Sequence, residues 1–231
     1  MFLIAAVLTA AFLIACRKNA EDALALVSDA EATEIMENAV SGRSAGAAMP
    51  TEDMANLADN YFNLCGVSGD TTLQHSSAAG PVTCSSTIHL TWLVNCNNLN
   101  VPQNAVITVN GNSTFATQRW AGNNATTGSL TCTGLNPQAS TYIGNGTLSL
   151  QGDITGHLRK IDPSLACTTT VALTDLAIRK SDHQITGGAG TVVIVATNGK
   201  AQSQTINGSL VFNGDGTATA TVNGHTHTFS L

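Results

Sequence analysis

The sequence predicts an all-β protein, an antiparallel meander that closes into a barrel-like sheet or a two-sheet sandwich, preceded by a short helical or disordered tether. Two patterns favour this fold. From about Val82 onward, apolar residues alternate with polar ones, which is typical of strands with one buried face. The pair Asn-Gly, which tolerates the positive φ of two-residue hairpin turns, occurs six times, at Asn110, Asn145, Asn198, Asn207, Asn213 and Asn223.

Residues 1–15 are predicted to be a signal peptide. Residues 2–15 are almost wholly apolar and uncharged, and as a helix they would span about 21 Å, less than the roughly 30 Å core of a bilayer. The run ends in Leu13-Ile14-Ala15-Cys16, which resembles the lipobox of bacterial lipoproteins. The resemblance implies cleavage before Cys16 and acylation of Cys16, for example with palmitate. An ordinary secretory signal is the alternative. Because no basic residue follows Met1, whether Met1 is the true start stays open.

Residues 16–60 are interpreted as an acidic tether with short helices. Residues 17–60 carry nine acidic and three basic residues, whereas residues 61–231 carry six of each. A weakly amphipathic helix is predicted from Glu21 to Val40, a flexible linker over 41–50, and a second helix capped at Thr51 that reaches Asn60. We expect a solvated spacer that holds the domain away from the membrane; a partner-binding helix is the alternative.

Residues 61–231 are predicted to form the β domain. Ile88, Leu90, Trp92 and Val94 share one face of the first clear strand. Later strands are predicted at about 146–160, 165–178, 184–196, up to 212 with a bulge at Asn207-Gly208, 217–222 and 225–231. About ten strands joined by short turns should pair with their neighbours. A sheet of that size curls or folds in two, and small inward residues predict a narrow interior.

Five cysteines remain after Cys16, and export permits disulfides. The sequence cannot decide the connectivity, but we predict a Cys65–Cys96 bridge because Cys65 follows the second helix and Cys96 ends the first strong strand. The remaining cysteines lie in strand patterns, where they are core residues or a further pair: Cys84, Cys132 and Cys167. No CxxC motif occurs, so no metal site is expected.

No catalytic residues or cofactors are predicted, and the chain is interpreted as not an enzyme. There is no nucleophile-elbow motif and no dinucleotide fingerprint, and the β domain contains no Glu. His225 and His227 share one side of the last strand, but no acidic or cysteine partner lies nearby in sequence, so we interpret them as solvated. The rival hypothesis is a secreted hydrolase whose site is built around His157 or His183, with an Asp and a Ser or Thr.

Trp120 is the candidate for stacking against a glycan ring, with a place in the core as its alternative. Nucleic-acid binding is not expected, because no basic patch stands out and pairs such as Arg159-Lys160 and Arg179-Lys180 are isolated.

The C-terminal run from Gly208 to Gly224, together with Cys65-Gly66 and Asn95-Cys96-Asn97, resembles uncharacterised cell-envelope lipoproteins of Bacteroidota over residues 60–231. The resemblance implies a lipid-anchored protein at the outer membrane, on its periplasmic or surface side, and supplies no catalytic residues. We therefore expect a non-catalytic binding, adhesion or structural module with a glycan or protein ligand. The alternatives are the hydrolase and a lipocalin-like carrier, which would need a roomy apolar interior.

Overall fold

The computed structural model describes residues 25–156 and 164–231. Helix α1 spans Asp29–Val40, a short 3-10 helix spans Gly42–Ser44, and α2 spans Ala48–Tyr61. Ten strands follow, with these bounds: β1 Ser68–Ala79, β2 Val82–Cys96, β3 Pro102–Ala116, β4 Trp120–Thr133, β5 Thr141–Gly156, β6 Ser164–Arg179, β7 Ile185–Asn198, β8 Ser203–Phe212, β9 Thr217–Val222 and β10 His225–Ser230.

The ten strands form one sheet in which each strand pairs antiparallel with the next in sequence, in the order β1 to β10. This confirms the predicted antiparallel meander. The last turn shows how the sequence produces it, because Asn223 and Gly224 have φ values of 48° and 87°. Two consecutive residues with positive φ match the twist of the flanking strands.

The sheet is neither a closed barrel nor a two-sheet sandwich, because β1 and β10 lie at its two ends and pair with one neighbour each. A sheet must cover its apolar face with another layer. Here the helices provide that layer: α1 packs against β6, β9 and β10, and α2 against β4. The sheet therefore curls around the helices instead of closing on itself.

The expectation that the segment before the sheet is a solvated spacer is wrong from Val27 onward. Ile35, Met36, Met54 and Phe62 are all at most 1% exposed and belong to the same core as the strands. Asp53 is buried, whereas the other described acidic residues of the helices are partly or fully exposed. The acidic composition of this segment favours a solvated spacer when only the sequence is considered. Each helix nevertheless carries an apolar stripe that is made mainly of small and flexible side chains.

Both helices begin at positions different from those predicted. Ser28 caps α1, since its Oγ accepts from the Glu31 backbone N and its own N donates to Glu31 Oε2. This capping box starts the helix eight residues after Glu21. Thr51 does not cap α2; it lies inside the helix, where its hydroxyl donates to the Ala48 carbonyl at 2.6 Å.

The alternation predicted for the first strong strand is confirmed, with Ile88, Leu90, Trp92 and Val94 all buried in β2. The bulge predicted at Asn207-Gly208 is absent, because β7 and β8 pair one for one through these residues. Gly208 has another role: a Cβ at this position would lie 2.3 Å from Met36 Cε. The glycine gives a core side chain of α1 room to touch the sheet.

The predicted disulfide between Cys65 and Cys96 is present, with 5.7 Å between the two Cα atoms. It joins the segment after α2 to the end of β2. Cys84, Cys132 and Cys167 are buried free thiols, so these three are core residues and no second bridge forms among them. Burial raises the pKa of Cys132 to about 12 and that of Cys167 to about 11, which keeps both as thiols.

Candidate functional site: an uncharged groove on the outer face

The outward face of the sheet carries rows of hydroxyl groups. Each strand turns alternate side chains outward, and threonine suits such half-exposed positions. The pairing registers place one such row straight across the sheet from β2 to β10, interrupted only by Ala172 on β6: Thr91, Thr108, Ser129, Thr147, Thr191, Ser209, Thr221 and Thr226. Neighbouring members of a row are separated by the strand spacing of about 4.8 Å.

A groove of about 360 Å³ crosses this face over β2 to β5. Its exposed lining residues are hydroxyl and amide side chains around the small Ala125: Ser85, Thr87, Asn112, Thr114, Asn123 and Gln151. No Asp, Glu, Lys, Arg or His lines it. The registers explain the convergence, because Thr87 pairs with Asn112, Asn112 with Ala125, and Ala125 with Gln151.

Most polar side chains of this groove are free to bind a ligand. Thr87, Asn112 and Gln151 have no side-chain hydrogen bond to another described residue. Asn123 Oδ1 accepts a long bond of 3.5 Å from the Asp153 backbone N. The groove thus offers both donors and acceptors without a formal charge.

Trp120 lies away from this groove and is only 3% exposed. Its Nε1 donates to Glu34 Oε2 at 2.8 Å, and Arg119 pairs with the other oxygen of the same carboxylate. The indole therefore connects the β3–β4 hairpin to α1. Trp120 is a core residue, which was the alternative to a role in glycan stacking. Its ring is not presented to solvent for stacking.

The C-terminal histidines meet acidic partners that sequence distance concealed. His227 Nε2 lies 2.7 Å from Glu37 Oε2, and His225 Nε2 lies 3.9 Å from Asp29 Oδ2. Two more pairs have the same plan, His75 with Asp53 at 3.0 Å and His183 with Asp59 at 2.6 Å. Four of the five described histidines thus face a carboxylate of the helical segment. In the sequence, the feature that indicates such pairs is an acidic segment followed by a nearly neutral domain that contains histidines.

Asp59 also accepts a hydrogen bond from the Tyr142 hydroxyl at 2.5 Å, and Lys180 Nζ lies 4.5 Å from the centre of the Tyr142 ring. Burial and the Asp59 carboxylate raise the pKa of Tyr142. His183 has no hydrogen bond to a Ser or Thr hydroxyl in the described ranges. The structure thus brings His183 to an Asp but not to the third member of a hydrolytic triad. His157 lies outside the described residues.

Within residues 25–156 and 164–231, no group of three or more His, Cys, Asp or Glu side chains is placed to hold a metal ion. None of the helices in these ranges is long and apolar enough to cross a bilayer. Cys16, the predicted acylation site, lies outside the described residues.

Comparison of the chain with protein-family models, with curated proteins and with solved structures gives no match.

Proposed function

We propose that this chain is an exported lipoprotein, anchored through Cys16, whose β domain is a non-catalytic module that binds an uncharged glycan at the cell envelope. One observation carries the choice of ligand: the groove on the outer face is lined by hydroxyl and amide side chains and by no charged group. A sugar ring presents hydroxyls that both donate and accept hydrogen bonds. The side-chain amides of Asn112 and Gln151 can each both donate and accept a hydrogen bond.

The size and charge of the groove favour a neutral sugar over other small ligands. A volume of about 360 Å³ falls within the range of about 300–1,000 Å³ that is usual for ligand sites. The groove has no cationic side chain to bind an anionic ligand. An apolar ligand would leave the amide side chains of the groove without hydrogen-bond partners. A lipid carrier would need internal space, but the concave side is filled by the helices, and a cavity between α1 and the sheet beside Ile35 holds only about 10 Å³.

The ligand proposal is tested by glycan-array screening, followed by titration of the best neutral oligosaccharide. Replacing Asn112 and Gln151 together by Ala removes amide groups that make no hydrogen bond to another described residue. We expect this double variant to weaken binding at least about tenfold, since each lost hydrogen bond contributes about 0.5–1.5 kcal/mol. Asn207→Ala removes an exposed amide on β8, far from the groove in strand order, and serves as the matched control. Equal loss in both variants, or binding only to anionic glycans, would reject the proposed site.

The anchor is tested separately by fractionation and by mass spectrometry of the N-terminal peptide. We expect the native protein to start at an acylated Cys16 and to fractionate with membranes, and we expect Cys16→Ser to release it, because each buried methylene contributes about 0.8 kcal/mol to membrane binding. Protease accessibility on whole cells then assigns the side of the membrane. A native chain that starts at Met1 without a lipid would contradict the anchor and leave the groove proposal standing.

A further inference from the structure

The two ends of the sheet are protected to different degrees. Strand β10 is six residues long, and α1 packs along it, with Glu37 paired to His227. Strand β1 is twelve residues long and pairs with β2 without a register shift. It contains no Pro and no Lys, and Asp70 is its one carboxylate. Free edges of this length and regularity attract other strands, and proteins usually blunt them with Pro, Lys or bulges.

The register identifies which backbone groups of β1 are free. Gly80-Pro81 is a two-residue turn, so Ala79 and Val82 form its closing hydrogen-bonded pair. Hydrogen-bonded pairs alternate along an antiparallel register, and the register of β1 has no shift, so the odd-numbered residues of β1 bond to β2. The N–H and C=O groups of the even-numbered residues therefore point away from the sheet: Ser68, Asp70, Thr72, Gln74, Ser76 and Ala78. No described group bonds to this side of β1.

Exposed apolar side chains gather at the beginning of β1. Leu93, which is 47% exposed, lies directly opposite Ser68 and pairs with Val106 on its other side. Leu64 precedes the Cys65–Cys96 bridge, and Leu99, which is 82% exposed, lies in the β2–β3 hairpin. Six of the eight large apolar side chains that are exposed in the described chain lie in residues 61–106. A single scattered apolar residue is ordinary, but a cluster beside a free edge marks an interaction surface.

We propose that β1 pairs antiparallel with β1 of a second copy of this chain, about a two-fold axis that passes beside Leu73. In this register Thr72 bonds to Gln74 of the second copy and Asp70 to its Ser76, so all the bonding residues are even-numbered. Leu73, which is partly buried against the core, faces its own copy in the close, non-hydrogen-bonded type of pair. A register centred on Asp70 would oppose two carboxylates. Pairing of one strand with itself is self-complementary, as a two-fold interface requires.

The pairing would join the two sheets into one sheet of twenty strands. Ser85 and Thr87 of the groove lie on β2, next to β1, so the two grooves would face outward on either side of the two-fold axis. A repeating ligand that spans both grooves would bind more tightly than one groove permits. The dimer itself does not depend on the glycan proposal.

The test uses the full-length protein, in detergent where it carries a lipid, in sedimentation equilibrium from about 1 to 100 μM, the range in which a small interface of modest affinity should dissociate. We expect a monomer–dimer equilibrium. Thr72→Pro removes one outward N–H and no bond to β2, and we expect it to weaken the dimer at least tenfold. Thr72→Val keeps the N–H and is the matched control, which should dimerise as the native chain does.

Cysteine crosslinking tests the register and remains informative if Thr72→Pro fails to fold. We expect Leu73→Cys to form a disulfide-linked dimer on mild oxidation, since the two Cβ atoms of such a pair lie about 4.5–5.5 Å apart. Thr71→Cys, two residues away on the same face, should remain uncrosslinked, because it faces position 75 of the second copy. A monomer throughout the concentration range overturns the proposal, as does a dimer that Thr72→Pro leaves intact and that Leu73→Cys does not crosslink. Binding of β1 to a different protein by a monomeric chain also overturns it.

Discussion

Gly208 shows how one missing side chain decides how closely a helix can approach the sheet. The position has no positive φ, so its glycine is explained by space and not by backbone conformation. A Cβ there would meet both the Met36 side chain and, at 2.9 Å, the Thr221 carbonyl. The Asn-Gly pattern suggested a bulge because a turn-like pair inside a strand often marks one. The contact that the glycine actually serves comes from a residue far away in the chain, which no local pattern reports.

We expect Gly208→Ala to lower the free energy of unfolding by about 1–3 kcal/mol, the usual cost of overpacking. Met36→Ala should be destabilising by itself, by about 2–5 kcal/mol. The double variant should lose less unfolding free energy than the two single variants lose together, because the shortened side chain at position 36 leaves room for the new methyl group at position 208. Urea denaturation of the four proteins measures this coupling. Strict additivity would show that Met36 and residue 208 do not meet.

His75 and Asp53 form the best buried of the four histidine–carboxylate pairs, with a side-chain exposure of 7% for Asp53. Burial raises the pKa of Asp53 despite the opposing effect of His75. A raised pKa means that folding favours the protonated acid. Its contribution to stability is therefore present below the unfolded pKa of about 3.9 and is lost as the pH rises through the raised folded value.

We therefore expect His75→Ala to destabilise the fold by about 1–3 kcal/mol at pH 7, where it leaves a buried carboxylate without its partner. The cost should shrink at pH 4, where more of Asp53 is protonated. Denaturant unfolding at both pH values measures the difference. The matched variant is His89→Ala, since His89 has no carboxylate partner among the described residues and hydrogen-bonds the Thr71 carbonyl. A cost for His75→Ala that is independent of pH would contradict the role given to the pair.

At the scale of elements, the sequence predicts the strands and turns that have a distinctive local residue pattern. Strand β2 was visible because its apolar residues alternate, and the hairpins because their turns need Asn and Gly. Strand β1 went unrecognised because Ser68–Ala79 contains only one large apolar residue, Leu73. The helices were expected, but their burial was not, because Ala and Met form their core face while acids dominate their charge. The groove could not be foreseen, since it depends on the registers of four strands.

The Cys65–Cys96 bridge joins α2 and the sheet across 31 residues of sequence. We expect its removal by Cys65→Ala and Cys96→Ala together to lower the free energy of unfolding by about 3–4 kcal/mol, on the loop-entropy model. Thermal unfolding with and without reductant measures the same loss in the native chain. Cys84, Cys132 and Cys167 should resist alkylation until the protein unfolds, because they are buried. Rapid alkylation of these thiols in the folded protein would contradict this packing.

At the scale of the whole molecule, helices and sheet form a single folding unit. The concave face of the sheet has no covering layer other than α1, the short 3-10 helix and α2 among the described elements. We expect a chain that begins at Phe62 to expose this face, to bind a hydrophobic dye and to lack a cooperative transition. A chain that begins at Ala25 keeps all the described core residues and should unfold cooperatively. Cooperative folding of the shorter chain would show that the helices are an accessory to the sheet.

The placement of charge has a consequence for kinetics. The acidic excess of the protein lies in residues 17–60, and the described carboxylates of that segment lie on the helices inside the curl and along its rim. Across β2 to β5, by contrast, Asp153 is the one outward carboxylate, and no ammonium or guanidinium group accompanies it. A neutral molecule that approaches this face meets little electric field, so diffusion alone should govern its arrival. Its association rate should hardly change between dilute and concentrated salt, unlike that of a ligand drawn in by opposite charge.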